Sequence, residues 1–168
     1  MIIIRSEREE DIQAIRQINQ LAFDTATESL LVDKLRDNGK LLVSLVAEND
    51  GELVGHIAFS PVTIESRRDL RGVGLGPMAV MPAMQKQQIG SQLIRAGLAR
   101  CSEIGCDFAV VLGHAHYYPR FGFVPASHFG IKCFWPVPDD VFMAMELRPG
   151  SLVGVSDLAL YEPEFSEF

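Results

Sequence analysis

The chain has 168 residues, the span of one domain, and at 48% hydrophobic and 22% charged it can bury one sizeable core. No apolar run approaches the ~20 residues that cross a bilayer, and residues 1–4, Met-Ile-Ile-Ile, are too short for a secretory leader, so a cytoplasmic protein without membrane contact is expected. A net charge of −7 argues against nucleic acid as a partner, since Glu65 and Asp69 interleave the one arginine cluster, Arg67, Arg68 and Arg71.

Residues 1–5 are rich in β-branched Ile and read as a strand. Ser6 and Glu9 have capping-box spacing, and Ile12, Ile15, Ile18 and Ala22 recur at helical steps, which predicts an amphipathic helix to about Phe23. A second helix over residues 28–37 ends at Asn38-Gly39. Residues 41–48 and 52–62 read as strands joined by the hairpin turn Asn49-Asp50-Gly51. Residues 72–80 form a further, apolar strand that Gly and Pro interrupt and Pro82 stops. A helix over residues 89–104 carries Ile89, Leu93, Ile94, Leu98 and Cys101 on one stripe, and Gly105 closes it. The short apolar run 108–112 is the pattern of a buried parallel strand, so residues 72–112 resemble a βαβ unit. Residues 113–120 read as a loop or short helix, and 141–147 as the last clear strand. The tail, with Tyr161, Phe165 and Phe168, is expected to dock on the body. There is no linker and no repeat, and one α/β domain over residues 1–168 follows. Cys101, Cys106 and Cys133 lack metal or disulfide spacing, so buried thiols and no metal are expected.

The chemistry concentrates between the strand ending near Val80 and the helix beginning near Ile89. A helix start offers unpaired N–H groups and a positive dipole end, which suit a phosphate. Gln85, Lys86, Gln87, Gln88, Ile89, Gly90 and Ser91 could converge on a diphosphate, with Lys86 adding charge; an ordinary strand-to-helix connection is the alternative. A P-loop or dinucleotide fingerprint is absent, because Gly72, Gly74 and Gly76 have the wrong spacing and lie inside a strand.

These residues resemble the central motif of the GNAT superfamily of N-acetyltransferases, Gln/Arg-x-x-Gly-x-Gly/Ala. Gln85 and Gly90 match, as does Val80-x-Pro82 ahead of them. Gln88 stands where glycine is usual. A helix-start residue has negative φ, so Gln is expected to sit there without strain. A second block, Tyr117-Tyr118-Pro119-Arg120-Phe121-Gly122-Phe123, resembles the superfamily's tyrosine followed by Gly-Phe. More narrowly, the chain is similar to the YhbS-like acetyltransferases along nearly its whole length, through Gly55-His56-Ile57-Ala58-Phe59, Leu75-Gly76-Pro77-Met78, Trp135-Pro136 and the aromatic tail.

The resemblance implies a GNAT fold, with a mixed, mostly antiparallel central sheet, a splayed parallel strand pair and helices on both faces. It implies acetyl-CoA (coenzyme A) as co-substrate, its pantetheine arm bonded by Met78, Ala79 and Val80 and its diphosphate by residues 85–91. The acetyl group would pass to a primary amine by direct attack on the thioester. Tyr118 is the candidate general acid, since a phenol of ordinary pKa about 10 is protonated at neutral pH. Glu28 is the candidate base or substrate anchor, with a solvated helix-start charge as its other reading. His56 reads as a hydrogen-bonded core histidine, and His114 and His116 as loop residues. The acceptor is a small-molecule or protein amine, and the acidic composition favours a cationic one. Monomer and homodimer are both open. A non-catalytic acyl-CoA-binding module is the rival reading, against which Tyr118 speaks.

Overall fold

One large sheet organises the computed structural model, which describes residues 1–167; Phe168, expected to dock with the tail, lies outside them. β1 (Ile2–Ser6), β2 (Val43–Asn49), β3 (Glu52–Ile64) and β4 (Arg67–Val80) run antiparallel in that order. β5 (Phe108–Leu112) then pairs with β4 in parallel, and β6 (Val124–Pro125) and β8 (Phe142–Glu146) complete the main ladder in the order β5-β8-β6. β9 (Leu158–Tyr161) pairs with the end of β3, and β7 (Lys132–Cys133) with β9. The β2–β3 turn has Asp50 and Gly51 at φ 51° and 86°, the two positive φ values a tight hairpin demands.

Alternation along the strands gives the sheet two apolar faces. Leu45, Ile57, Phe59, Val73 and Leu75 meet α3 (Ile89–Glu103) through Ile89, Leu93 and Ile94. On the opposite face, Val46 packs against Ile15 of α1 (Ile12–Phe23) and Val32 of α2 (Thr27–Asp37). Helices therefore cover both faces, as the resemblance implies. Cys101 and Cys106 are buried thiols, while Cys133 is half-buried.

Three local expectations change. Ser6 does not cap a helix, because pairing with Leu45 keeps it extended. The capping role falls to Asp11, which accepts the Arg8 N–H at 2.7 Å after a short 3-10 turn over Glu9–Asp11. The strand expected over residues 72–80, β4, begins at Arg67, since its hairpin with β3 continues past the apolar stretch. β9 adds a strand that the tail's composition did not indicate.

The feature that builds a site lies within β4. Register passes from Phe59↔Leu75 to Ile57↔Met78, so Gly76 and Pro77 together oppose Ala58. That bulge needs Gly76, whose φ is +134°, and the Gly76–Pro77 peptide is cis. Pairing between β4 and β5 ends at Leu75↔Val111, one residue before it. β4 then continues to Val80 with β3 as its only strand neighbour among the described residues.

Candidate active site

Divergence of β4 from β5 opens a gap bounded by Met78, Ala79 and Val80 on one side and by His114 and Tyr117 on the other. The gap is part of a cavity of about 700 Å³ that runs to the start of α3. Along β4 beyond the bulge, the edge that faced β5 has no strand partner among the described residues. A strand edge left open in this way can bond a linear amide-bearing ligand as it would another strand.

The cavity's far end is the α3 start. Gln92 N–H makes the first intrahelical bond, to Gln88 C=O at 3.1 Å, and no side chain caps the helix. The N–H groups of Ile89, Gly90 and Ser91 are therefore left to a ligand or to water. Gln88 has φ 65° and ψ 15°, a left-handed conformation, and Lys86 has φ 65°. This corrects the expectation of a negative φ at Gln88. Gln85 is extended, and the chain can turn from it into the helix only by reversing hand. A left-handed residue followed by a right-handed one points successive N–H groups into one concavity, the geometry of an anion nest.

Other side chains secure the loop. Gln85 Nε2 donates to Val80 C=O at 3.1 Å, tying the loop back to β4. A Cβ on Gly90 would lie 3.3 Å from both Met78 Cε and the Tyr117 hydroxyl, so the backbone approaches the cavity closely there. Of the ten residues expected to hold the cofactor, nine line this cavity; the Gln87 side chain does not. Ala22, Phe23, Met84, His114, Tyr117 and Arg120 complete the lining without having been singled out for it. Tyr117 is fixed by a 3.1 Å hydrogen bond between its hydroxyl and Ser91 Oγ, and the Arg120 guanidinium sits 4.7 Å above its ring.

A second cavity of about 440 Å³ adjoins the first, sharing Phe23, Met78, His114 and Tyr117 with it. Tyr118 and Glu28 both line this second space. The Tyr118 ring is 7% exposed, edge-to-face with Tyr117 at 5.2 Å and with Phe123 at 5.9 Å. Burial pushes its hydroxyl up to about 12, so the phenol is neutral across the physiological range. A Cβ on Gly113 would fall 2.3 Å from the Tyr118 ring, so only glycine leaves that ring its place. Glu28 stands in the first turn of α2 and accepts from Thr25 Oγ1 at 3.0 Å.

His56 lies elsewhere, fully buried under the α1 and α2 face. Its Nε2 is 2.9 Å from Ser44 Oγ and its Nδ1 3.4 Å from Asn19 Nδ2, the satisfied core histidine that the sequence suggests.

A parallel pair that parts in front of an uncapped helix start is the arrangement that the resemblance to the N-acetyltransferases implies. The sequence model of the acetyltransferase (GNAT) family matches residues 10–123, and the chain belongs to that family. It is 36% identical to the uncharacterized N-acetyltransferase YhbS of Escherichia coli K12, over 99% of this chain and all of that one. It is 34% identical to the uncharacterized N-acetyltransferase YjhQ of the same strain, over 86% of this chain and 84% of the relative. The crystal structure of E. coli YhbS with CoA superposes with a TM-score of 0.95, covering 99% of this chain and 93% of that one. A GNAT acetyltransferase from Brucella melitensis, in complex with acetyl-CoA, is 36% identical with a TM-score of 0.82, covering 98% of each chain.

Proposed function

We propose that the chain binds acetyl-CoA in the larger cavity and transfers its acetyl group to a primary amine that enters through the smaller one. The observation that carries this reading is the open β4 edge at Met78–Val80, continuous with the uncapped start of α3. The two together match a ligand with an amide-bearing arm and a diphosphate, and the residues present fit it. The CoA and acetyl-CoA complexes of the two relatives support the same reading.

When bound, acetyl-CoA supplies the acetyl group as a thioester. The α3 start and Lys86 hold phosphate charge, which an acidic chain could not attract by its overall field. The β4 edge lays the arm toward Met78, where the two cavities meet, and a main-chain N–H there polarises the carbonyl oxygen. Glu28 draws the ammonium in and takes its proton, because only a neutral amine can attack. The amine nitrogen then forms the C–N bond while the C–S bond breaks, and the nitrogen's surplus proton passes to the Tyr118 oxygen as the phenol gives up its own. Tyr118, as general acid, gives its proton to the sulfur as negative charge develops, so CoA departs as the thiol. The high pKa of that phenol has it protonated at the start of each turnover.

Tyr118→Phe tests the assignment. Turnover should fall by roughly 10²–10⁴ while calorimetric affinity for acetyl-CoA stays the same. An unchanged kcat would remove Tyr118 from the mechanism.

A further inference from the structure

The smaller cavity differs in chemistry from the larger one. Fifteen residues line it, and Glu28 is the one carboxylate among them, with the imidazole of His114 also in the lining. No lysine or arginine faces it. Its outer wall is aromatic: the Trp135 and Tyr161 rings lie 5.1 Å apart and the Tyr161 and Phe165 rings 5.0 Å apart. Tyr161 and Phe165 of this wall come from the tail, which β9 pins to β3 at Val62↔Tyr161.

Resting on the acyl-CoA reading of the neighbouring cavity, we propose that the acceptor is an arylalkylamine without a carboxylate. Its ammonium is counter-charged by Glu28 and its ring lies against Trp135, Tyr161 and Phe165. Three physical arguments select that class. Burying an apolar body against such a wall gains roughly 25 cal/mol per Å² of surface removed from water. An α-amino acid would carry its carboxylate into a space that offers one anion and no cation, so repulsion excludes it. A polyamine fares poorly for a different reason: its further ammonium groups would be stripped of water against aromatic rings, with Glu28 as their single counter-charge.

The test measures thiol release by the full chain at saturating acetyl-CoA with 2-phenylethylamine, phenylalanine and spermidine. 2-Phenylethylamine should exceed each of the others in kcat/KM by at least about tenfold, the worth of one ion pair or one buried ring. Glu28→Gln should raise KM for 2-phenylethylamine by roughly tenfold and lower kcat through the lost base, with acetyl-CoA affinity unchanged, and Trp135→Leu should raise KM by a smaller factor. Equal or better turnover of spermidine or phenylalanine overturns the proposal, as does no turnover of any of the three amines when calorimetry shows acetyl-CoA bound. Failure to bind acetyl-CoA at all would instead bring down the acyl-CoA reading on which it stands.

Discussion

Gln88 holds a conformation that costs a non-glycine residue about 1–2 kcal/mol, because its Cβ crowds the following carbonyl. The loop tolerates that strain, since Gln88 is the pivot that aims the N–H groups of Ile89, Gly90 and Ser91 at one point. Replacing Gln88 by glycine relieves the crowding but loosens the unfolded chain by about 0.4–1 kcal/mol, so the two effects nearly cancel. Gln88→Gly should therefore keep the melting temperature and bind acetyl-CoA as tightly as the parent or more so. Gln88→Val, β-branched and ill-suited to positive φ, should lose roughly tenfold in affinity. Calorimetry on the pair decides it, and a valine variant that binds normally would show that the left-handed pivot is dispensable. This is also where the sequence was opaque. Gln85 and Gly90 were legible as a motif from residue type and spacing, but the sign of φ at Gln88 is dictated by the path from Gln85 into the helix. Asparagine or glycine would have signalled it; glutamine does not.

Among the elements, β4 was the most legible and the tail the least. Gly76-Pro77 inside an apolar run announces an interrupted strand, and the bulge stands there. β9 is four residues long, without alternation, and its partner segment Val62–Ile64 lies nearly a hundred residues earlier. Only the assembled sheet reveals it. The aromatic tail was readable as a docking segment, yet its part in the smaller cavity was not, because Tyr161 and Phe165 meet Trp135 there through tertiary packing. The tail is clamped by Glu164, buried at 3% exposure, which accepts from Asn38 Nδ2 at 2.6 Å and Lys40 Nζ at 2.9 Å. Phe165 is the next residue, so the clamp positions one wall of the cavity. Glu164→Ala should raise KM for the amine by roughly three- to tenfold, with acetyl-CoA affinity unmoved, because its cavity shares no wall with the tail. Steady-state kinetics with the amine varied checks this, and a change confined to kcat would place the tail's influence elsewhere.

Across the whole molecule, the α1 and α2 face is joined to the sheet by one polar network whose members come from five elements or their flanks. Ser44 of β2 donates its proton to Glu7, which follows β1, so His56 Nε2 must carry the hydrogen that reaches Ser44. His56 Nδ1 is then the acceptor for Asn19 of α1, and Arg36 of α2 closes the chain by donating to Glu7 at 2.8 Å. Every hydrogen in this chain has a place only while the imidazole is neutral. Burial lowers the His56 pKa from 6.5 to about 4, the nearby Arg36 charge working in the same direction and Glu7 against it. In the unfolded chain the same imidazole takes up a proton below about pH 6.5. The native state forgoes that proton until about pH 4, so the histidine's contribution is complete above pH 6.5 and declines as pH falls between the two values. At pH 5 the loss is roughly 2 kcal/mol, or about 4–8 °C in melting temperature for a chain of this size. Burial would raise the Glu7 pKa, but hydrogen bonds from Arg36 and Ser44 outweigh it and hold the carboxyl low, so its own loss adds in the same sense at still lower pH. His56→Gln separates the two, because its side chain stays neutral throughout. Thermal melts at pH 7, 6 and 5 should show a steep decline for the parent and a shallower one for His56→Gln, whatever the variant's starting stability. Parallel declines would mean that the acid sensitivity resides in the carboxylates and that His56 is already protonated in the native fold.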